Sequence, residues 1–192
     1  SSVLLVLAVR DIRHTPRAAP LPPLLSLRGY DRRYLQFIAV TLLFSVGNSS
    51  DAFLILRSKD VGLGATAIVL AYVLYNVAYA ALSVPAGIRS DRIGRRPVLI
   101  AGFAIFAFVY AGFALASDAW MIWPLFIVYG AYIAFTDGVG KAYVADLVPS
   151  ERRGTAMGLY NACTGVMLLL SSIIGGALWD LIGPAATFTF GA

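Results

Sequence analysis

Residues 66–86, 98–117, 119–136 and 154–179 contain no Asp, Glu, Lys or Arg, and residues 34–56 contain only Asp51. A helix rising 1.5 Å per residue needs about 20 mostly apolar residues to cross about 30 Å of hydrocarbon. Each run meets that length or comes close to it. A transmembrane β-barrel would instead show alternating segments of about ten residues, and these runs are too long and too evenly apolar for that. The pattern predicts an all-α polytopic transmembrane helical bundle. Its spans fall at about 34–56, 65–86, 98–117, 120–143 and 154–179, with the start of another at 184–192. The connectors are short, so neighbouring helices are antiparallel. The apolar run Val3–Val9 reads as the end of a preceding span. A secretory signal would carry its positive charge ahead of the apolar core, the reverse of the order here. With its start at Ser1 and its stop soon after Pro184, the chain reads as a piece of a larger polytopic protein.

Between the runs the polar residues are sorted. Residues 10–33 hold six arginines among Pro16, Pro20, Pro22 and Pro23, the composition of a linker that leaves the membrane. Alternating the connectors between two sides puts thirteen of the fifteen Lys and Arg on one side, with only Arg57 and Lys59 on the other. Basic residues concentrate on the cytoplasmic side, so the linker and the connectors at 87–97 and 144–153 are predicted to be cytoplasmic. The composition, 59% hydrophobic and 13% charged, excludes most soluble classes. It also reinterprets the net charge of +5: nucleic-acid modules need basic residues on a polar exposed face, whereas these cations separate apolar runs. No nucleic-acid partner is predicted, and the lipid bilayer is. The lone Cys163, inside an apolar run, reads as a small buried hydrophobe, and His14 as a solvated linker residue. No metal, cofactor or catalytic constellation is visible.

One connector concentrates chemistry: Gly87, Asp91, Arg92, Gly94, Arg95 and Arg96 lie within ten residues, followed by Pro97. Glycines permit a tight reversal and positive φ. Asp91 can accept backbone hydrogen bonds at a helix start or balance a helix dipole, and the arginines can fork onto neighbouring carboxylates. Pro97 suits the first turn of the next helix. A generic basic loop would also satisfy the charge pattern.

The spacing Gly, three residues, Asp, Arg, one residue, Gly, Arg, Arg resembles the signature loop of the major facilitator superfamily. The resemblance implies two six-helix halves. This chain, with the loop after its second complete span, would be the carboxy-terminal one, truncated at both ends. Arg89 departs from the family pattern, which has an apolar or small residue there. A second connector, Asp146 to Gly158, resembles the loop between the tenth and eleventh family helices. There Pro149 ends one helix, Ser150 or Glu151 can cap the next, and Gly154 with Gly158 offers a small-residue face. Arg152 and Arg153 belong to the same loop. The resemblance implies that such loops latch one arrangement of the halves, so Arg92 or Arg95 is expected to meet Asp146.

Polar residues within spans mark a pathway or a pair. Tyr72, Asn76, Tyr79 and Ser83 recur at helical spacing along one face, and Asn161, Thr164, Gly165 and Ser172 form a second strip. Each strip suits either a water-filled cavity or interhelical hydrogen bonding. Asp137 and Lys141 lie one turn apart and can pair, as a coupling site or as an interfacial pair. Asn48 and Asp51, near the outer end of the first complete span, pose the same choice between substrate contact and helix-end group.

The resemblance implies a non-enzymatic secondary transporter working by alternating access. It would be proton-coupled and sit in a bacterial inner membrane. Its partners would be a small-molecule substrate and the amino-terminal half. A receptor or scaffold on the same fold is the alternative from another class.

Overall fold

The computed structural model describes residues 29–192. The predicted partial span at 1–9 and the linker up to Arg28, His14 included, lie outside the described residues. The described residues form helices and no strand: α1 (Arg32–Gly47), α2 (Ala52–Asp60), α3 (Ala65–Ile93), α4 (Arg95–Leu115), α5 (Ala119–Leu147), a 3-10 turn (Ser150–Arg152), α6 (Arg153–Leu181) and α7 (Pro184–Gly191). Taking α1 with α2, and the 3-10 turn with α6, as continuous crossings, five segments among the described residues are long and apolar enough to cross a membrane.

Two boundaries differ from the sequence reading. The stretch 34–56 is not one helix but breaks at Asn48–Asp51. Asn, Ser and Asp side chains compete with the helix for backbone hydrogen bonds, and here they are consecutive. Backbone groups freed at membrane depth must find partners. The Ser50 amide donates to Ser172 Oγ at 3.2 Å, and Ser50 Oγ accepts from the Ala52 amide at 3.3 Å. The second difference is at the arginine-rich connector, most of which is helix. The α3 helix continues through Gly87 to Ile93, and only Gly94 separates it from α4. That residue has φ +94°, a conformation glycine adopts at no steric cost. Gly87 is helical and needs no such freedom. Pro97 lies in the first turn of α4 and Pro184 opens α7, where a missing amide proton is harmless.

The α5 helix is central, packing on both α3 and α4. Its approach to α3 is made at Gly130, where a Cβ would lie 2.5 Å from the Tyr75 carbonyl oxygen and 2.8 Å from Ala78 Cβ. Toward the Arg57 end the core is aromatic, built on Phe106, Tyr110, Phe113, Phe126, Tyr129 and Phe188. Toward the arginine-rich end a second cluster gathers Tyr34, Phe37, Val98, Leu99, Val144 and Leu159. Cys163 packs, partly buried, at its edge. Burial is uneven: 44% of the apolar window of α4 and 39% of that of α5 is buried, against 17% for α3 and 11% for α6. The faces of α3 and α6 are therefore the ones left for lipid or further protein.

Candidate functional site

At the arginine-rich end, Arg95 opens α4 directly after the Gly94 turn and so faces the last turn of α3. Its Nη1 meets Asp91 Oδ1 at 2.5 Å and donates to Ser90 Oγ at 2.6 Å, while its Nε donates to Asp146 Oδ2 at 3.0 Å. One guanidinium thus joins α3, α4 and the end of α5. Of the two arginines expected to reach Asp146, Arg95 does so, and Arg92 forms no ion pair among the described residues. Asp91 does not sit at a helix start: it lies in the last turn of α3, where the helix dipole disfavours a carboxylate, and Arg95 offsets it. Gly87 contributes its carbonyl, which accepts from Ser90 Oγ at 2.7 Å. Arg92 and Arg96 are exposed.

In the second connector Arg153 Nε donates to the Ala145 carbonyl at the end of α5, at 3.0 Å, and Arg152 Nη1 donates to the Gly29 carbonyl at 3.0 Å. Neither Ser150 nor Glu151 caps α6. Ser150 Oγ donates to the Glu151 carboxylate instead, at 3.0 Å. Gly154 and Gly158 do not mediate a close helix approach among the described residues, since a Cβ at either would meet nothing within 4 Å.

A cavity of about 350 Å³ opens between α1, α4, α5 and α6. It brings together Asp137 and Lys141 of α5, Asn161, Thr164 and Gly165 of α6, and Asn48 of the break after α1. Asp137 Oδ1 and Lys141 Nζ are 2.6 Å apart, and both side chains are partly exposed. Aromatic walls from Phe44, Phe103, Tyr132 and Tyr160 complete it. A paired cation and anion, amides and hydroxyls against aromatic surface can hold a small amphipathic or zwitterionic solute. Three polar contributors escaped the sequence reading, Ser45 of α1 among them. Thr136 lines the cavity from α5; Thr41 lines it from α1, and its buried hydroxyl has no hydrogen-bond partner among the described residues.

The α3 strip lies outside this cavity. Asn76 Nδ2 donates to the Tyr72 carbonyl at 2.8 Å and Ser83 Oγ to the Tyr79 carbonyl at 2.6 Å, so both spend their polarity on their own helix. Tyr79 reaches Asp137 only at a long 3.5 Å. The α6 strip divides, with Ser172 bonded to the helix break around Ser50. That break forms a polar knot that shares Asn48 and Tyr132 with the cavity. Asp51 accepts from Tyr129 at 2.6 Å and, more weakly, from Tyr72 at 3.4 Å. Asn48 Nδ2 donates to Tyr132 OH at 3.1 Å, and Ser49 shares a hydrogen bond with Tyr110 OH at 3.3 Å. Tyr129, Tyr132 and Thr136 fall at positions i, i+3 and i+7 of α5, the periodicity that marks one helix face. Among the described residues no group of three or more His, Cys, Asp or Glu could hold a metal ion.

Comparison with known proteins matches residues 35–192 to the Major Facilitator Superfamily family model. An uncharacterized MFS-type transporter of Methanocaldococcus jannaschii is 38% identical over 162 residues, which is 81% of this chain and 40% of that protein. The class C tetracycline resistance protein of Escherichia coli is 39% identical over 92 residues, 48% of this chain and 23% of that protein. The inner membrane transport protein YajR of Escherichia coli is 29% identical over 118 residues, 60% of this chain and 25% of that protein. The chain thus matches at most two fifths of the length of these curated relatives. Their names are those of transporters and a resistance protein, in keeping with a non-enzymatic family. With its helical bundle, its arginine-bridged turn at Gly94 and a family match running from Leu35 to its last residue, the chain belongs to the major facilitator superfamily.

Proposed function

We propose that this chain is the carboxy-terminal half of a secondary transporter that moves a small solute by alternating access. The observation that carries this reading is the cavity between α1, α4, α5 and α6. It combines an Asp137–Lys141 pair, Asn48, Asn161 and Thr164 with aromatic walls, on the side of the bundle where α6 is little buried. In this reading the amino-terminal half covers the open faces of α3 and α6, and rocking of the two halves exposes the cavity to either side in turn. The Arg95–Asp91–Asp146 cluster, with Arg152, Arg153 and the Gly154 segment, is the gating region of the arginine-rich side, which this reading takes as cytoplasmic because Lys and Arg concentrate there. Transport is driven by protons in this reading, through Asp137 or Asp51, the two carboxylates set within the spans. The membrane is a bacterial inner membrane.

Efflux of an amphipathic drug is the substrate direction to test first. Tetracycline resistance proteins of classes C and E are 39% and 35% identical to parts of this chain, and an aromatic cavity carrying both charges suits such molecules. The test is counterflow and pH-gradient-driven transport of tetracycline by the full-length protein in liposomes. Saturable movement that collapses with the gradient supports the proposal. Absence of counterflow with tetracycline and with a panel of sugars, amino acids and cationic drugs sinks it.

A further inference from the structure

A second cavity, of about 730 Å³, opens at the arginine-rich end between α1, α4 and α5. Phe37, Leu99 and Phe103 line both cavities and form the partition between them. Its charged lining is Arg33, Arg96 and Asp146. Asp146 is already engaged by Arg95, whereas neither Arg33 nor Arg96 has an ion-pair or hydrogen-bond partner among the described residues. Both are exposed and are the second residue of a helix, α1 and α4. With Asp146 engaged by Arg95, two guanidinium groups without an ion-pair or hydrogen-bond partner among the described residues are left at one opening. The apolar side of the cavity is equally unsatisfied. Val40 is 54% and Ile100 65% exposed.

We propose that this cavity binds an anionic phospholipid of the surrounding leaflet. Its phosphate would be held by Arg33 and Arg96, and its acyl chain would lie along Val40 and Ile100. Guanidinium groups match phosphate oxygens in a two-pronged geometry. Basic openings between helices at the cytoplasmic boundary are suited to acidic headgroups. Free phosphate would use the arginines and leave the apolar wall unoccupied. A phospholipid carries both parts in one molecule, with the charge at the boundary and the chain toward the hydrocarbon.

The full-length protein in neutral detergent is offered phosphatidylglycerol or phosphatidylcholine of matched chains, and retained lipid is read by native mass spectrometry. Inorganic phosphate forms a separate competition arm. Phosphatidylglycerol is retained over phosphatidylcholine by about fivefold or more. Arg33→Gln with Arg96→Gln brings the ratio near one, and Ile100→Trp lowers phosphatidylglycerol retention with both arginines in place. Arg89→Gln, which removes an exposed cation of the same end outside the cavity, leaves the ratio unchanged. Equal retention of the two lipids overturns the proposal, as does a double variant that keeps the preference. An Arg89→Gln effect as large as that of the double variant would reduce the preference to diffuse charge. Full displacement by millimolar inorganic phosphate would make the site one for a free anion. Each readout is independent of transport, so the site and the transport reading fail separately.

Discussion

Arg95 and Asp146, fifty-one residues apart in the chain, meet at 3.0 Å and tie the start of α4 to the end of α5. Asp146 is 53% exposed, and exposed pairs contribute about 0–1 kcal/mol. Asp146→Asn therefore leaves the melting temperature nearly unchanged. The same energy matters more to a balanced conformational equilibrium, where about 0.5 kcal/mol shifts a two-state ratio roughly twofold. Cysteine-labelling rates on the arginine-rich side, measured in the full-length protein, should rise by that order. Arg95→Gln should raise them further, because it also leaves Asp91 unpaired at the C-terminal end of α3. Labelling rates identical to wild type in both variants would exclude a latch.

Gly130 and Gly138 sit on the same helix and should respond oppositely to alanine. A Cβ at Gly130 runs into the Tyr75 carbonyl, whereas at Gly138 it meets nothing within 4 Å. Backbone cannot move aside as a side-chain tip can, so Gly130→Ala costs about 1–3 kcal/mol through forced separation of α3 and α5. Gly138→Ala is neutral or stabilising by up to about 1 kcal/mol from helix propensity. Thermal unfolding of the two variants in detergent distinguishes them, and equal melting temperatures would contradict the close α3–α5 crossing.

The cation Arg57 shows what the sequence concealed. Read from charge alone it is one of two basic residues on the less basic side. In the fold its guanidinium donates to the Phe113 carbonyl at 3.1 Å and the Ala116 carbonyl at 2.8 Å, and it pairs with Asp60. It thereby satisfies the orphan carbonyls at the end of α4 and docks α2 there. The helical class and the run of membrane-length apolar segments were legible because hydropathy acts over whole segments. What was lost depends on which helix lies beside which. The continuation of α3 through Gly87, the break at Asn48–Asp51 held by tyrosines of α4 and α5, and the capping by Arg57 all need partners distant in sequence. Arg57→Ala should lower stability by about 2 kcal/mol, the scale of charged hydrogen bonds. Arg57→Lys should recover little of it, since one ammonium cannot span two carbonyls and a carboxylate. Full recovery by lysine in thermal melts would show that charge alone suffices.

Thr41 offers a test of the cavity that separates binding from folding. Its hydroxyl is buried and has no partner among the described residues, and an unsatisfied buried polar group costs about 1–3 kcal/mol. Thr41→Val, similar in shape, should therefore keep or raise the melting temperature. If the hydroxyl serves a solute in the cavity, the same change weakens half-saturation in counterflow about fivefold, the equivalent of one hydrogen bond of about 1 kcal/mol. A stable variant with unaltered half-saturation would take Thr41 out of the site.

Asp51 and Asp137 are the carboxylates proposed for coupling, and their surroundings predict different failures. Asp137 has Lys141 at 2.6 Å, so Asp137→Asn frees a cation at the cavity rim and disturbs solute binding as well as any proton step. Asp51 has no ion-pair partner among the described residues and is held by Tyr129 at 2.6 Å. An asparagine carbonyl there can still accept that hydrogen bond, so Asp51→Asn keeps the helix break and the cavity while abolishing protonation. Three assays on each variant decide the matter: counterflow, pH-gradient-driven transport and thermal melting. If Asp51 carries the proton, Asp51→Asn retains counterflow within about twofold and loses gradient-driven accumulation, at an unchanged melting temperature. If Asp137 carries it, Asp51→Asn accumulates normally and Asp137→Asn fails in both transport assays. Tyr129→Phe, which removes the 2.6 Å donor and leaves the carboxylate with its weaker bond to Tyr72, should lower gradient-driven accumulation more than counterflow only in the first case.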